Sequence, residues 1–137
     1  MARILSIDYG RKRVGLAVTD ALQITANALD TVATDKILEY LKAYTQREKV
    51  EKFVMGYPMQ TNGKESESMQ YIKPFAEVLK KNFPDIELIY VDERYTSVIA
   101  HKTMLDAGLK KKDRQDKSLV DKIAATIILQ TYMESVR

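Results

Sequence analysis

The sequence predicts an α/β protein of one domain, in which helices cover the faces of a mixed β-sheet. Three observations support this fold class. The chain has 137 residues, which suits a single core. Its first two apolar segments flank a short turn, as in a β-hairpin, and the later segments alternate between strand-like and helix-like apolar spacing. The predicted order is therefore β-β-β-α-β-α-β-α-α, within a single domain over residues 1–137.

The first three elements are predicted strands. Apolar residues favour strands over Arg3–Asp8 and Val14–Thr19. The segment between them, Tyr9–Arg13, contains Gly10 and favours a turn, so the two strands are expected to form a hairpin. A third strand is predicted within Gln23–Ala33. These segments would supply the antiparallel part of the sheet.

The remaining elements alternate between helices and strands. Apolar residues at helical spacing predict helices, the first of them capped by Thr34 or Asp35, and short apolar runs predict strands. Pro74 lies inside the second helix, which it is expected to kink or shorten. The predicted ranges are helices over Asp35–Glu48, Glu67–Phe83, Ser97–Ala107 and Ser118–Ser135, and strands over Lys52–Tyr57 and Ile86–Glu93.

The composition limits the chemistry that the chain can perform. With no cysteine and one histidine, it excludes a thiolate zinc site, a cysteine nucleophile and a pair of histidine ligands within one chain. A catalytic metal would need oxygen ligands, which Mg²⁺ and Mn²⁺ prefer. No apolar run approaches the length of a membrane span, and the first residues lack the pattern of a signal peptide, so we expect a cytoplasmic protein.

Positive charge is concentrated in two segments. The net charge of +3 is too small by itself to identify a nucleic-acid-binding protein. However, Arg11, Lys12 and Arg13 are consecutive in the predicted hairpin turn, and the segment Lys110–Lys117 contains five basic residues around two acidic ones. Clusters of this kind bind nucleic-acid phosphates, although a solvated surface loop is an equally simple interpretation of each.

Three carboxylates lie where a side chain is expected to be partly buried. Asp8 and Glu93 end two predicted strands, and ligands of open α/β sheets usually bind at the carboxyl ends of strands. Asp121 lies in the first turn of the last helix, on the core-facing stripe that contains Ala124 and Ala125. An unpaired buried carboxylate is costly, and one shared divalent cation would satisfy all three. Such a site can hydrolyse phosphodiesters.

Each acid also has a simpler interpretation when it is considered alone. Asp121 could stabilise the start of its helix, Glu93 could pair with Arg94 at the surface, and Asp8 could form a turn before Gly10. Only the occurrence of all three at the ends of elements favours a metal-dependent phosphodiesterase. In that hypothesis the acids hold Mg²⁺ or Mn²⁺, and phosphates are bound by Arg11, Lys12, Arg13 and Arg94.

Four motifs together resemble those of one protein family. They are Ile7–Ala17, Met55–Pro58 with Gly63, Val91–Ser97, and Val120–Ala125 with Ile128–Gln130. In this order, and over nearly the whole chain, they resemble the YqgF/RuvX family of Holliday-junction-resolvase-like, pre-16S rRNA nucleases. The first motif alone also resembles the opening of sugar kinases and actin-like ATPases, but those bind ATP between two lobes and this chain is too short for two.

The resemblance implies an RNase H-like fold with a five-stranded mixed sheet, and it implies that Asp8, Glu93 and Asp121 are the metal-binding catalytic acids. It further implies processing of the 5′ end of precursor 16S rRNA during ribosome biogenesis in the cytoplasm. Related junction resolvases carry a fourth acid where this sequence has Ala124, which favours RNA processing over cleavage of DNA junctions.

Two alternatives stay open at this point, namely a non-catalytic RNA-binding assembly factor and a Holliday junction resolvase acting on DNA. The sequence does not distinguish a monomer from a homodimer. Whichever function applies, the residues expected to contact structured RNA, or DNA, are Arg11, Lys12, Arg13, Arg94, Lys110, Lys111 and Lys112.

Overall fold

A computed structural model describes residues 2–57, 69–92 and 117–136. These ranges contain five strands and three α-helices. The strands are β1 (Arg3–Tyr9), β2 (Arg13–Thr19), β3 (Ala26–Ala33), β4 (Val50–Tyr57) and β5 (Glu87–Asp92). The helices are α1 (Ile37–Arg47), α2 (Met69–Asn82) and α3 (Lys117–Ser135), and a short 3₁₀ turn, Thr34–Lys36, precedes α1. The helix predicted over Ser97–Ala107 lies outside the described residues.

The five strands form one mixed sheet in the order β3-β2-β1-β4-β5. β1 pairs antiparallel with β2, and β2 antiparallel with β3, as the predicted hairpin requires. β4 lies parallel to both β1 and β5. The predicted five-stranded mixed sheet is therefore confirmed. Because β1, β4 and β5 are parallel, their last residues, Tyr9, Tyr57 and Asp92, lie at one edge of the sheet, which we call the carboxyl edge.

Strand alternation divides the core between the two faces of the sheet. Leu5 and Ile7 of β1 belong to the larger apolar cluster, which includes buried residues of α1 and α2. Ile4 belongs to the second cluster, with Ala125, Ile128 and other residues of α3. Successive strand residues point to opposite faces, so Ser6 and Asp8 share the α3 face with Ile4. The Ser6 hydroxyl confirms this placement, because it donates a hydrogen bond to the Ala125 carbonyl oxygen.

Two local predictions concern the helices α1 and α2. α2 continues through Pro74, which is exposed, so water can satisfy the carbonyl that lacks an amide partner. The predicted cap of α1 is wrong: the N-cap residue is Lys36, and its side chain makes no capping bond. Thr34 contacts the β1–β2 turn instead.

Among the described residues, no helix is long and apolar enough to span a bilayer.

Candidate active site

Asp8 and Asp121 meet at the carboxyl edge although Asp121 is 113 positions further along the sequence. Both line a cleft of about 320 Å³ that also receives the basic β1–β2 turn. β1 delivers Asp8 near its last residue, and α3 delivers Asp121 from its first turns. The cleft thus combines two acidic side chains with three basic ones, and its lining residues are Asp8, Gly10, Arg11, Lys12, Arg13 and Asp121.

Gly15 allows α3 to approach the sheet at this point. A Cβ atom added to Gly15 would lie 2.1 Å from the backbone oxygen of Asp121 and 3.1 Å from its Cβ. The first separation is too short for a carbon side chain to be accommodated without a shift of the backbone. Gly15 is buried in β2 and pairs with Asp8 of β1. Glycine at this position therefore permits the close approach of α3 to β2 beside Asp8.

Arg13 holds the carboxylate of Asp121. Its Nε donates a hydrogen bond of 2.8 Å to Oδ2, and the two side chains are 38% and 22% exposed, so the ion pair is shielded from solvent in part. Arg13 is the first residue of β2 and lies two positions before Gly15. The side chain of Arg13 therefore points to the α3 face of the sheet. The guanidinium thereby orients Asp121 and leaves further N–H donors available.

Thr34, the residue after β3, forms hydrogen bonds with the turn that carries the basic residues. The Thr34 hydroxyl donates a hydrogen bond to the Gly10 carbonyl oxygen at 2.7 Å, and the Thr34 amide donates to the Lys12 carbonyl oxygen at 3.1 Å. A Cβ atom on Gly10 would lie 2.6 Å from the backbone oxygen of Arg13. These contacts fix the backbone between Asp8 and Arg13.

The protonation of Asp8 is strongly perturbed. Burial raises the pKa of Asp8, and the negative charge of Asp121 raises it further, from 3.8 to about 6. A carboxylate in this position is destabilised unless a positive charge is near. Burial and a specific charge partner, together in a cleft, are typical of functional sites.

The raised pKa predicts a pH-dependent effect of Asp8→Asn on stability in EDTA. Folding favours the protonated form of Asp8. Below about pH 4 the buried carboxyl therefore costs the wild-type protein no stability. As pH rises through about 6, Asp8 ionises in the folded protein and the free energy of unfolding falls. The total effect is about 1–3 kcal/mol. Thermal unfolding followed by circular dichroism from pH 4 to 8 should show Asp8→Asn gaining stability over wild type up to about pH 7. A difference that does not vary with pH would contradict this prediction.

The structure brings together part of the predicted site. Asp8, Asp121, Arg11, Lys12 and Arg13 line one cleft. Within residues 2–57, 69–92 and 117–136, no three carboxylate or imidazole side chains cluster closely enough to hold a metal ion. The third predicted acid and four of the predicted basic residues lie outside the described residues; they are Glu93, Arg94, Lys110, Lys111 and Lys112.

Sequence reasoning missed three contributors to the site. Gly15 was part of a recognised motif, but its contact is with a residue distant in sequence. The roles of Thr34 and of Tyr71, whose ring lies 4.5 Å from the Arg11 guanidinium carbon, also depend on tertiary contacts. Only the alternation of side chains along β2 gives an indication of these contacts in the sequence. Because Val14, Leu16 and Val18 are apolar, Arg13 and Gly15 had to face the other side.

The Asp8–Asp121 cleft is not the larger of the two main clefts among the described residues. A larger cleft, of about 430 Å³, lies beside the C-terminal end of α3. Among its described lining residues only Glu134 is charged, so it lacks convergent acids and bases. Its lining residues are Ile24, Thr25, Ala26, Gln130, Met133 and Glu134. The smaller cleft is therefore the better candidate for catalysis.

Comparison with known proteins identifies the family of the chain. Residues 2–135 match a family model described as RuvX, Holliday junction resolvase. A Bacteroides thetaiotaomicron protein named "Putative pre-16S rRNA nuclease" is 58% identical, with 100% of this chain and 99% of that protein covered. A Porphyromonas gingivalis protein of the same name is 55% identical, with 98% of each chain covered.

Solved structures show the same fold at low sequence identity. Thermus thermophilus RuvC in complex with a Holliday junction substrate superposes with a TM-score of 0.59 at 17% identity, covering 98% of this chain and 96% of that chain. A second T. thermophilus RuvC structure gives the same TM-score at 15% identity. The RNase H-like architecture that the sequence implied is thereby confirmed.

Proposed function

This chain belongs to the RuvX family, and from that premise we propose that it is a divalent-metal-dependent nuclease that hydrolyses phosphodiester bonds in precursor 16S rRNA. One observation is the main support. Asp8 and Asp121 converge in a cleft whose rim is formed by Arg11, Lys12 and Arg13. An acidic centre with a basic rim suits a substrate whose phosphates are negatively charged and whose hydrolysis needs a cation.

The acids fit Mg²⁺ or Mn²⁺ as the cofactor. Asp8 and Asp121 offer only carboxylate oxygens, which hard divalent cations prefer. Burial and the negative charge of Asp121 raise the pKa of Asp8, and a bound cation would offset both effects. When bound, the ion supplies Lewis-acid activation of water and stabilisation of charge on the phosphate.

Glu93 is the proposed third ligand. Ile89 and Val91 of β5 pack with the α3 cluster, so the α3 face of β5 is also the face of Asp8 on β1, and in the sequence Glu93 follows β5 with the same parity as these two residues. β5 lies two strands from β1, which is about 10 Å at ordinary strand spacing. A glutamate is longer than an aspartate, and this length suits the more distant strand.

The basic residues have separate proposed tasks. Arg13 keeps Asp121 oriented through its Nε, and its remaining N–H groups face the same cleft as the phosphate would. Arg11 and Lys12 are exposed on the turn and attract the nucleic-acid backbone. Further phosphate contacts are proposed for Arg94, Lys110, Lys111 and Lys112. All of these contacts are electrostatic, so binding should weaken steeply as salt rises.

RNA is favoured over a DNA junction as the substrate. The family description refers to Holliday junctions, whereas relatives that are 52–58% identical are named for pre-16S rRNA. The position of the fourth acid of the junction resolvases is Ala124 here, beside the fully buried Ala125. The second candidate, an RNA-binding assembly factor without catalysis, is supported by the same basic rim.

The deciding experiment maps product ends on matched substrates. The purified protein is incubated with a structured RNA bearing a 5′ extension, with the DNA of the same sequence, and with a four-way DNA junction, each in Mg²⁺, Mn²⁺ or EDTA. We expect cleavage of the RNA with either metal and none in EDTA. An Asp8→Asn protein purified in parallel controls for contaminating ribonucleases. RNA binding without cleavage would support the assembly factor, and cleavage of the junction alone would support a resolvase.

A further inference from the structure

Arg11 connects the acidic cleft to a second, smaller cavity. It lines the cleft of Asp8 and Asp121, and it also lines an adjoining cavity of about 30 Å³ with Tyr9, Gly10, Tyr71 and Ile72. Its guanidinium carbon lies 4.5 Å from the centroid of the Tyr71 ring. At this separation the guanidinium makes a cation–π contact with the aromatic face. The side chain of Arg11 is thus held at the border between the two cavities.

The two arginines of the turn have different partners. Arg13 pairs with the carboxylate of Asp121, on the α3 side of the sheet. Within the described part of the chain Arg11 pairs with no carboxylate, and it extends to the α2 side, where Tyr71 supports it. A phosphate ligand does not need an aromatic support. The contact with Tyr71 instead holds the Arg11 guanidinium over an aromatic face.

Tyr71 is not explained by the packing of α2. Its side chain is 37% exposed, whereas Ile72, Phe75 and Leu79 form the buried face of the helix. Tyr9, the other tyrosine of this cavity, is already stacked on Phe75, with ring centroids 4.4 Å apart and an interplanar angle of 16°. The Tyr9–Phe75 stack therefore contributes to the core, and Tyr71 is the more exposed of the two tyrosines.

We propose that Arg11 and Tyr71 form a stacking platform for an unpaired nucleobase next to the phosphodiester that is cleaved. The inference rests on the proposed function for the position of the scissile phosphate. Arg11 is exposed and its guanidinium is held over the Tyr71 ring, so its other face is available to a base, and bases stack on such planes. Within a duplex the faces of an internal base are covered by its neighbours, so the platform accepts unpaired nucleotides.

The platform determines which part of a substrate enters the site. A nucleic acid held by its phosphates alone could bind as a duplex or as a single strand. A base stacked on Arg11 places an unpaired segment beside Asp8, three residues earlier in the chain. The enzyme would then cut where a single-stranded extension leaves a structured region, rather than within a continuous helix.

Binding of fluorescent oligonucleotides in EDTA tests the platform without any cleavage. The probes are a single-stranded RNA with 2-aminopurine near one end, a blunt RNA duplex of equal charge, and the corresponding single-stranded DNA. Tyr71→Ala should weaken binding of the single-stranded RNA about five- to tenfold and abolish the stacking-dependent quenching of 2-aminopurine. Duplex binding should change by less than about twofold, since it depends on phosphate contacts.

Two variants serve as controls. Tyr71→Phe keeps the aromatic face and should bind like wild type. Val78→Ala removes another exposed side chain seven residues further along α2, and it should also bind like wild type. Equal weakening with single-stranded RNA and DNA would show that the platform binds the base and not the sugar.

The proposal is overturned if wild type fails to bind single-stranded RNA. It is also overturned if Tyr71→Ala binds single-stranded RNA like wild type, or if it loses single-stranded and duplex binding equally. These results leave metal-dependent cleavage untouched. Conversely, a protein that stacks unpaired bases but never cleaves would retain the platform and lose the proposed nuclease function.

Discussion

Asp8→Asn is expected to lower metal-dependent RNA cleavage by at least about 100-fold. Loss of a group that only supports a metal ligand costs about 10- to 100-fold in affinity or activity, and Asp8 is a proposed ligand itself. Asparagine has nearly the same size and keeps one oxygen, but it lacks the negative charge. Cleavage of an end-labelled RNA with a 5′ extension, in Mg²⁺ at pH 7.5, measures the effect. Glu93→Gln, assayed in the same way, tests the proposed third ligand.

Asp8→Asn should raise the stability of the metal-free protein, although it lowers activity. At pH 7.5 the ionised Asp8 destabilises the metal-free fold, because burial and Asp121 hold its pKa near 6. Asp8→Asn therefore removes a penalty and should raise the melting temperature in EDTA. An activity lost together with a gain in stability is the property expected of a functional residue and not of a structural one.

Asp20 offers the matched control. Its carboxylate accepts hydrogen bonds from the amides of Ile24 and Thr25, and these bonds lower its pKa. Asp20→Ala should lower the melting temperature while leaving the cleavage rate of the folded protein unchanged. If Asp8→Asn cleaved like wild type, or if Asp20→Ala abolished cleavage, the assignment of Asp8 to the active centre would be wrong.

The sequence sufficed for those features that depend on the local periodicity of the chain. Alternation along β1 placed Asp8 with Ile4 and Ser6, and the structure puts all three on the α3 face. Helical periodicity placed Asp121 on the core-facing stripe with Ala125, and it lies against the sheet. Both predictions hold because a buried face strongly specifies strand register and helix rotation.

Features that depend on contacts between distant elements were not predicted. Arg13 was assigned to phosphates because it follows Arg11 and Lys12, yet its Nε is engaged by Asp121, which is 108 positions away. Thr34 is predicted to cap a helix, but it donates hydrogen bonds to the carbonyl oxygens of Gly10 and Lys12 instead. In each case the residue type was compatible with several partners. Only the assembled sheet determines which partner is within reach.

Gly15→Ala is expected to reduce cleavage about 100-fold and to destabilise the fold. The added Cβ would overlap the Asp121 backbone, at 2.1 Å from the carbonyl oxygen and 2.6 Å from the carbonyl carbon. Either β2 or the start of α3 must move, and neither contact is the flexible end of a side chain. Overpacking of this kind lowers the free energy of unfolding by about 1–3 kcal/mol. A displacement of about 1 Å at a reacting group can lower the rate about 100-fold.

Ala17→Gly separates the loss of stability from the loss of geometry. Ala17 is buried on the same face of the same strand, two residues beyond Gly15, and packs with the α3 cluster. Its replacement should lower the free energy of unfolding by about 0.5–1 kcal/mol without any clash. Cleavage rates are compared at a temperature where chemical denaturation shows both variants to be folded. If Gly15→Ala then cleaves as fast as Ala17→Gly, the approach of α3 to β2 does not set the position of Asp121, and the two acids must be aligned by the Arg13 ion pair alone.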